Sequence, residues 1–278
     1  MSSLKKEIYA QITEQLKEKL SQGTIPWRKS WEVGLPTNLQ SKHTYNGINF
    51  INLCMNDYPS PYYVTFLQCK ERDGYVKKGE KGSWVIYWDL KEVPSNSDEE
   101  VKRVPFIKRS IVFNLAQTSL FYDNDEERKI IQCEEVIKGM ELRPDIRHNT
   151  LRAYYSPVED YISLPPVHSF NSEAEYYSTL MHELIHWSGH TSRLNRKSSV
   201  SDEELYSFEE LIAEIGSAYL CALTGIAPKT LDNQAAYIQG WLKLAELDED
   251  VFMKAAVEAQ RAVNYIITPH TNSKSNAA

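Results

Sequence analysis

One stretch, His182-Glu183-Leu184-Ile185-His186, constrains this chain more than any other. Two imidazoles four positions apart share one face of an α-helix, offset by about 6 Å along its axis. They can grip one metal ion from the same side. A glutamate directly after the first histidine is placed to take a proton from a water held there. The same residues can also meet by chance, so the flanks decide. Ser172 to Met181 contain neither Gly nor Pro, and Ser172 followed by Glu175 reads as a capping box. Tyr177, Leu180, Met181, Leu184 and Ile185 recur at helical spacing, and Gly189 offers a stop. The motif therefore sits near the C-terminal end of a predicted helix of ordinary length.

A hydrolytic zinc site needs a third protein ligand and an open position for water. His190 is one candidate. On a straight helix it would lie about 12 Å from His182 along the axis, so only a bend at Gly189 could bring it in. The second candidate is the predicted amphipathic helix from Ser207 to Leu220. Leu211, Ile215, Ala218 and Leu220 face a core there, while Glu210 and Glu214 share another face. Ala213, Gly216, Ser217 and Ala218 are small enough for close helix approach. A buried glutamate facing two histidines needs a cation to offset its desolvation. Spacing does not choose between Glu210 and Glu214, nor does it separate either from a solvated acidic face.

The 278 residues suffice for one large or two ordinary domains. No apolar run approaches the roughly 20 residues of a membrane span, and Met1 to Glu7 lack a signal-peptide core. Cys54, Cys69, Cys133 and Cys221 are scattered, without a C-x-x-C, so a reducing cytoplasm is the expected compartment. Charge divides unevenly. Residues 1–115 hold 17 Lys and Arg against 13 Asp and Glu, a balance of +4; the remainder is −11. A mildly basic front half joined to an acidic back half suggests two independent domains with different partners. The best linker is Asp123 to Glu127, dividing the chain into 1–122 and 126–278.

The front half reads as α+β. Leu4, Ile8, Ile12, Leu16 and Leu20 recur every fourth residue, predicting a helix closed by Gly23. Asn46-Gly47 predicts a tight turn, and Thr65 with Gln68 a capped short helix. Strands are expected over 83–88 and 104–113. The back half carries a hairpin pattern at 151–155 and 161–164, then helices that include 234–247 and 251–266. In the front half, aromatic and basic residues interleave: Trp27, Arg28, Lys29 and Trp31, then Tyr75, Lys77, Lys78, Lys81 and Trp84. Rings for bases and cations for the backbone are what binds single-stranded nucleic acid. The bland reading makes the tryptophans core anchors and the lysines a solvated rim.

The chain resembles the ArdC-type antirestriction proteins of mobile elements. In front the resemblance rests on Pro26-Trp27, Tyr45 to Asn49, Thr65-Phe66 with Gln68, and Lys78-Gly79-Glu80-Lys81. Behind, it rests on His182 to His190, Arg193-Leu194, Glu209 to Glu214, and Ala236-Tyr237-Ile238 with Trp241. It implies an α+β single-stranded-DNA-binding domain, followed by a mostly helical zincin-like metallopeptidase domain with a small β-sheet. It further implies His182, His186 and Glu214 as metal ligands and Glu183 as the catalytic position. One Zn²⁺ per chain is expected, with Mn²⁺ or another divalent ion as the alternative. Trp27, Arg28, Lys29, Trp31, Lys78 and Lys81 are the expected DNA contacts, with a protein substrate as a second partner and no membrane. The expected function is to bind single-stranded DNA and protect incoming DNA from host restriction. The rivals are a protease that clears DNA-bound proteins and a pure DNA shield with a non-catalytic metal site.

Overall fold

A computed structural model describes residues 3–28, 34–56, 58–94, 101–121, 133–148, 150–196, 202–228 and 234–268. The expected linker at Asp123–Glu127 and the expected DNA contacts Lys29 and Trp31 lie outside them.

Helix α1 (Ser3–Ser21) buries Ile8, Ile12, Leu16 and Leu20 completely and ends as predicted at Gly23, whose φ of +78° suits glycine. The Asn46-Gly47 pair forms no hairpin turn; it opens α2 (Gly47–Cys54). Every residue of α2 from Asn49 onward is buried, so no polar face marks it as helical in the sequence. Its two buried asparagines are satisfied by strand backbone. Asn49 exchanges bonds of 2.7 and 2.8 Å with Ile86 O and N, and Asn52 donates to Trp84 O.

The front sheet runs β1-β2-β4-β3, with β1 (Thr37–Asn38) parallel to β2 (Tyr62–Thr65) and the other pairings antiparallel. The hairpin of β3 (Ser83–Pro94) and β4 (Val101–Asn114) extends well beyond the predicted strand ends. Between β2 and β3, α3 (Phe66–Glu71) starts on the predicted Thr65–Gln68 capping box, with both of its hydrogen bonds present.

The back half begins with α4 (Cys133–Gly139) and a small sheet ordered β5-β7-β6, from Asp145–Arg147, Tyr161–Ser163 and Tyr154–Ser156 respectively. The β6–β7 hairpin is the one the sequence predicts; the parallel β5 is additional. Helices α5 (Glu173–Ser188), α6 (Asp202–Thr224), α7 (Gln234–Leu247) and α8 (Val251–Ile267) complete it. The class is α+β, mostly helical behind.

The front half has two small buried clusters of its own, around Tyr45, Leu53 and Val85 and around Leu39, Val64 and Leu115, but its helices share the main core with the back half. Helix α1 packs on α7 and α2 on α8, and one buried cluster joins Ile8, Ile12, Trp27 and Phe50 to Tyr219, Trp241 and Phe252. Charge asymmetry does not register these contacts, because net charge reports surfaces while burial decides folding units. No helix among the described residues is long and apolar enough to cross a membrane.

Candidate metal centre

Helix α5 starts at Ser172, whose hydroxyl accepts from Glu175 N–H at 3.2 Å. The Glu175 carboxylate turns instead to Asn171 N–H and Nδ2. At the other end, Gly189 keeps a right-handed conformation, φ −77°. The Arg196 guanidinium lies where a Cβ would stand, 2.6 Å away, and donates to Ile185 O and Ser188 Oγ. This side chain thus satisfies groups at the helix end. Helix α6 lies close against α5 because Gly216 faces Ile185; a Cβ there would come within 2.7 Å of Ile185 Cδ1.

This close approach brings three ligand-type side chains together. His182 Nε2 and His186 Nε2 are 3.2 Å apart. The Glu210 carboxylate spans both, with Oε2 3.5 Å from His182 Nε2 and Oε1 3.5 Å from His186 Nε2. Among the described residues these form a group whose ligand atoms all lie within 4.8 Å of one another. The opposite nitrogen of each ring is held by a different carboxylate of α6. His182 Nδ1 lies 3.3 Å from Glu214 Oε1, and His186 Nδ1 lies 3.4 Å from Glu209 Oε1. An arginine anchors each of those carboxylates: Arg28 Nε donates to Glu214 Oε2 at 2.8 Å, and Arg196 Nε to Glu209 Oε2 at 3.1 Å. The resulting arrangement, carboxylate behind histidine behind a shared centre, is how proteins orient metal-binding imidazoles.

The electrostatics point the same way. Burial alone would discharge both rings, but the carboxylates more than offset it, raising His182 to about 9 and His186 to about 10. Burial would raise the three glutamates, yet the rings, together with Arg28 at Glu214 and Arg196 at Glu209, hold all three below the ordinary carboxylate range. Four carboxylates (Glu183, Glu209, Glu210 and Glu214) gather around two guanidinium groups, Arg28 and Arg196, and the two charged rings. When the rings give up their protons to serve as ligands, a bound cation would take over that charge balance. Two imidazole nitrogens plus one carboxylate oxygen form a donor set suited to Zn²⁺ or a similar divalent ion.

The residues named from the sequence fall out as follows. His182, His186 and the buried Glu183 line one cleft of about 1230 Å³, shared with Tyr154, His190, Tyr206 and Tyr237. His190 lies outside the convergent group, its Nδ1 2.8 Å from Ser192 Oγ. Glu214, the implied ligand, stands behind His182 rather than beside Glu210. Two expected DNA contacts are corrected. Trp27 is fully buried against Trp241, ring centroids 5.6 Å apart, and offers no face to a base. Arg28 points inward to Glu214, its side chain only 12% exposed. Lys78 and Lys81 are exposed on the loop before β3. Sequence reasoning gave no role to Glu209 and Arg196. Their signal is faint: a doubled glutamate in α6, and an arginine shortly after the motif helix. In the sequence Arg193 stands out only as part of a motif. It stacks on Trp187 at 4.0 Å and bonds Trp187 O and Asp160, fixing the turn beyond α5.

Comparison with known proteins covers both halves. The family model described as the N-terminal domain of anti-restriction factor ArdC matches residues 6–113, and a zincin-like metallopeptidase model matches residues 132–258. The metal-free crystal structure of the antirestriction ArdC protein from the R388 plasmid superposes with a TM-score of 0.78. It is 37% identical over 93% of this chain and 96% of that one. The Mn(II)-bound structure of the same protein gives 0.75 at 36% identity, with the same coverage. DNA primase TraC of Escherichia coli is 31% identical over 96% of this chain, which spans only 28% of the primase. With its two halves matched in order and almost the whole of a solved antirestriction protein covered, the chain belongs to the ArdC antirestriction family.

Proposed function

We propose that this protein is a DNA-associated, metal-dependent amide hydrolase that helps a mobile element evade host restriction. The observation that carries the hydrolase reading is the convergence of His182 Nε2, His186 Nε2 and the Glu210 carboxylate at a cleft that Glu183 also lines. Glu210 replaces Glu214 in the proposed ligand set, because it alone of the α6 glutamates faces the Nε2 atoms of both rings. The Mn(II)-bound structure of the R388 relative supports a divalent ion, Zn²⁺ or Mn²⁺, as the metal. Such an ion, when bound, supplies a Lewis acid and lowers the pKa of a coordinated water. Glu214 and Glu209 hold the two rings with their Nε2 atoms toward the centre. Glu183 accepts the proton of the attacking water on its carboxylate and returns it to the departing amine nitrogen. Tyr206 and Tyr237, with hydroxyls 3.3 Å apart, are donors on the cleft wall for the developing oxyanion.

Single-stranded DNA is the proposed second ligand, and exposed groups of the front half support it. Phe66 and Tyr75, 54% and 66% exposed, stand on α3 and the following loop with Lys70, Lys77, Lys78 and Lys81. They can take the stacking role that the buried Trp27 cannot. Replacing both rings with alanine should weaken single-strand binding by about 1–3 kcal/mol per stacked base at an unchanged melting temperature; undiminished binding would move the interface elsewhere.

The test of hydrolysis is cleavage of an unfolded protein substrate with and without Mn²⁺ or Zn²⁺ and single-stranded DNA. Metal-dependent cleavage that disappears in Glu183→Gln, while that variant still binds metal, is the expected result. Equal behaviour of wild type and Glu183→Gln would overturn it.

A further inference from the structure

Glu210 and Glu214 lie one turn apart on the same face of α6, both are buried, and both approach His182. Helical geometry gives neither the advantage as third ligand. What separates them is a side chain from the other half of the molecule. Both Glu214 oxygens are engaged, Oε1 with His182 Nδ1 and Oε2 with Arg28 Nε. The Glu210 oxygens instead face the two Nε2 atoms. We propose that Arg28 selects the metal ligand: by holding Glu214 behind the His182 ring, it leaves Glu210 to complete the centre.

Arg28 suits this positioning task. Its planar fork of N–H donors matches a carboxylate, and its partner carboxylate is almost fully buried. Its place is fixed by the residues before it. Trp27 is locked against Trp241, and Arg28 N–H closes a turn onto Ile25 O at 3.1 Å. The short aromatic segment after α1 therefore inserts one cation into the centre that the back half builds. Without Arg28, Glu214 would be a buried carboxylate lacking its countercharge. A divalent ion beside His182 is then its nearest relief, and Glu214 becomes able to compete with Glu210.

This inference rests on the metal reading above, and the experiment separates the two. Mn²⁺ is titrated by calorimetry into the full chain as wild type, E210Q, E214Q, R28Q, R28Q/E210Q and R28K/E210Q, with melting temperatures recorded without metal. In the wild-type background E210Q should lower affinity by at least about 100-fold and E214Q by only about tenfold, the scale of a lost outer-shell partner. In the R28Q background the E210Q loss should shrink below about tenfold, because Glu214 takes over; lysine at position 28 should restore the larger loss. An E210Q loss of equal size in both backgrounds overturns the proposal, even if R28Q melts lower, since that is what a purely structural arginine would give. Should R28Q fail to fold, E214Q decides: a loss as large as that of E210Q overturns the proposal, a clearly smaller one supports it. A folded wild type that takes up no Mn²⁺ overturns the metal reading and this inference together.

Discussion

His182 and His186 could be read as a pair because their spacing along the chain is itself the geometry of the site. The choice between Glu210 and Glu214 could not, because it is made by Arg28, 186 positions away from Glu214. Trp27 shows the same limit. A tryptophan beside basic residues looks alike whether its ring faces a base or, as here, Trp241. Arg193 and Asp160 make a prediction at this scale. Arg193 donates to Asp160 Oδ2 at 2.9 Å and Tyr155 to Oδ1 at 2.8 Å. The Arg193 hydrogen bond, against a smaller burial effect and aided by Tyr155, holds the Asp160 carboxyl below its ordinary 3.8. A carboxyl depressed in the folded state stabilises the protein above its unfolded pKa, and that stability is lost as pH falls through the lower folded value. Asp160→Asn should therefore melt below wild type at pH 7, with the gap closing below about pH 4. A gap that persists undiminished at pH 3 would remove the Asp160 charge from the account.

Among the elements, the long α1 with one buried face was legible and the short α2, buried over most of its length, was not. Helix α1 displays its apolar residues at every fourth position, with polar residues between them. Helix α2 is buried over most of its length and hides its asparagines against strand backbone, so its Asn-Gly start reads as a turn. Helices α5 and α6 were legible as elements, but their contact carries the chemistry. That contact depends on Gly216 lying against the fully buried Ile185. A valine at 216 would force the helices apart or push Ile185 off its rotamer, at about 1–3 kcal/mol. We expect Gly216→Val to lower the melting temperature and, because Glu210 reaches the histidines from α6, to weaken Mn²⁺ binding as well. Calorimetry on the folded variant checks this; an unchanged affinity would show that the centre tolerates a wider helix spacing.

At the scale of the whole molecule, two sequence families meet over a shared core. The matched regions 6–113 and 132–258 follow one another along the chain, yet α1 packs on α7 and α2 on α8. A fragment of residues 1–122 would expose Ile8, Ile12, Leu16, Trp27 and Phe50, all buried in the full chain. Each large side chain so exposed forfeits about 1.5–3 kcal/mol, so the fragment should lack a cooperative melting transition. A sharp transition in the isolated fragment would restore the independent domains that the charge pattern suggested.

The central claim is that two histidines of α5 and one glutamate of α6 form a metal centre, with Glu183 beside it as the proton carrier. Anomalous diffraction from crystals of the full chain grown with Zn²⁺, recorded on either side of the zinc edge, tests it most directly. The account predicts one peak bonded to His182 Nε2, His186 Nε2 and the Glu210 carboxylate at about 2.0–2.2 Å, with Glu214 still on His182 Nδ1 and Arg28. A peak bonded to Glu214 in place of Glu210, or no peak between the two histidines, would contradict it.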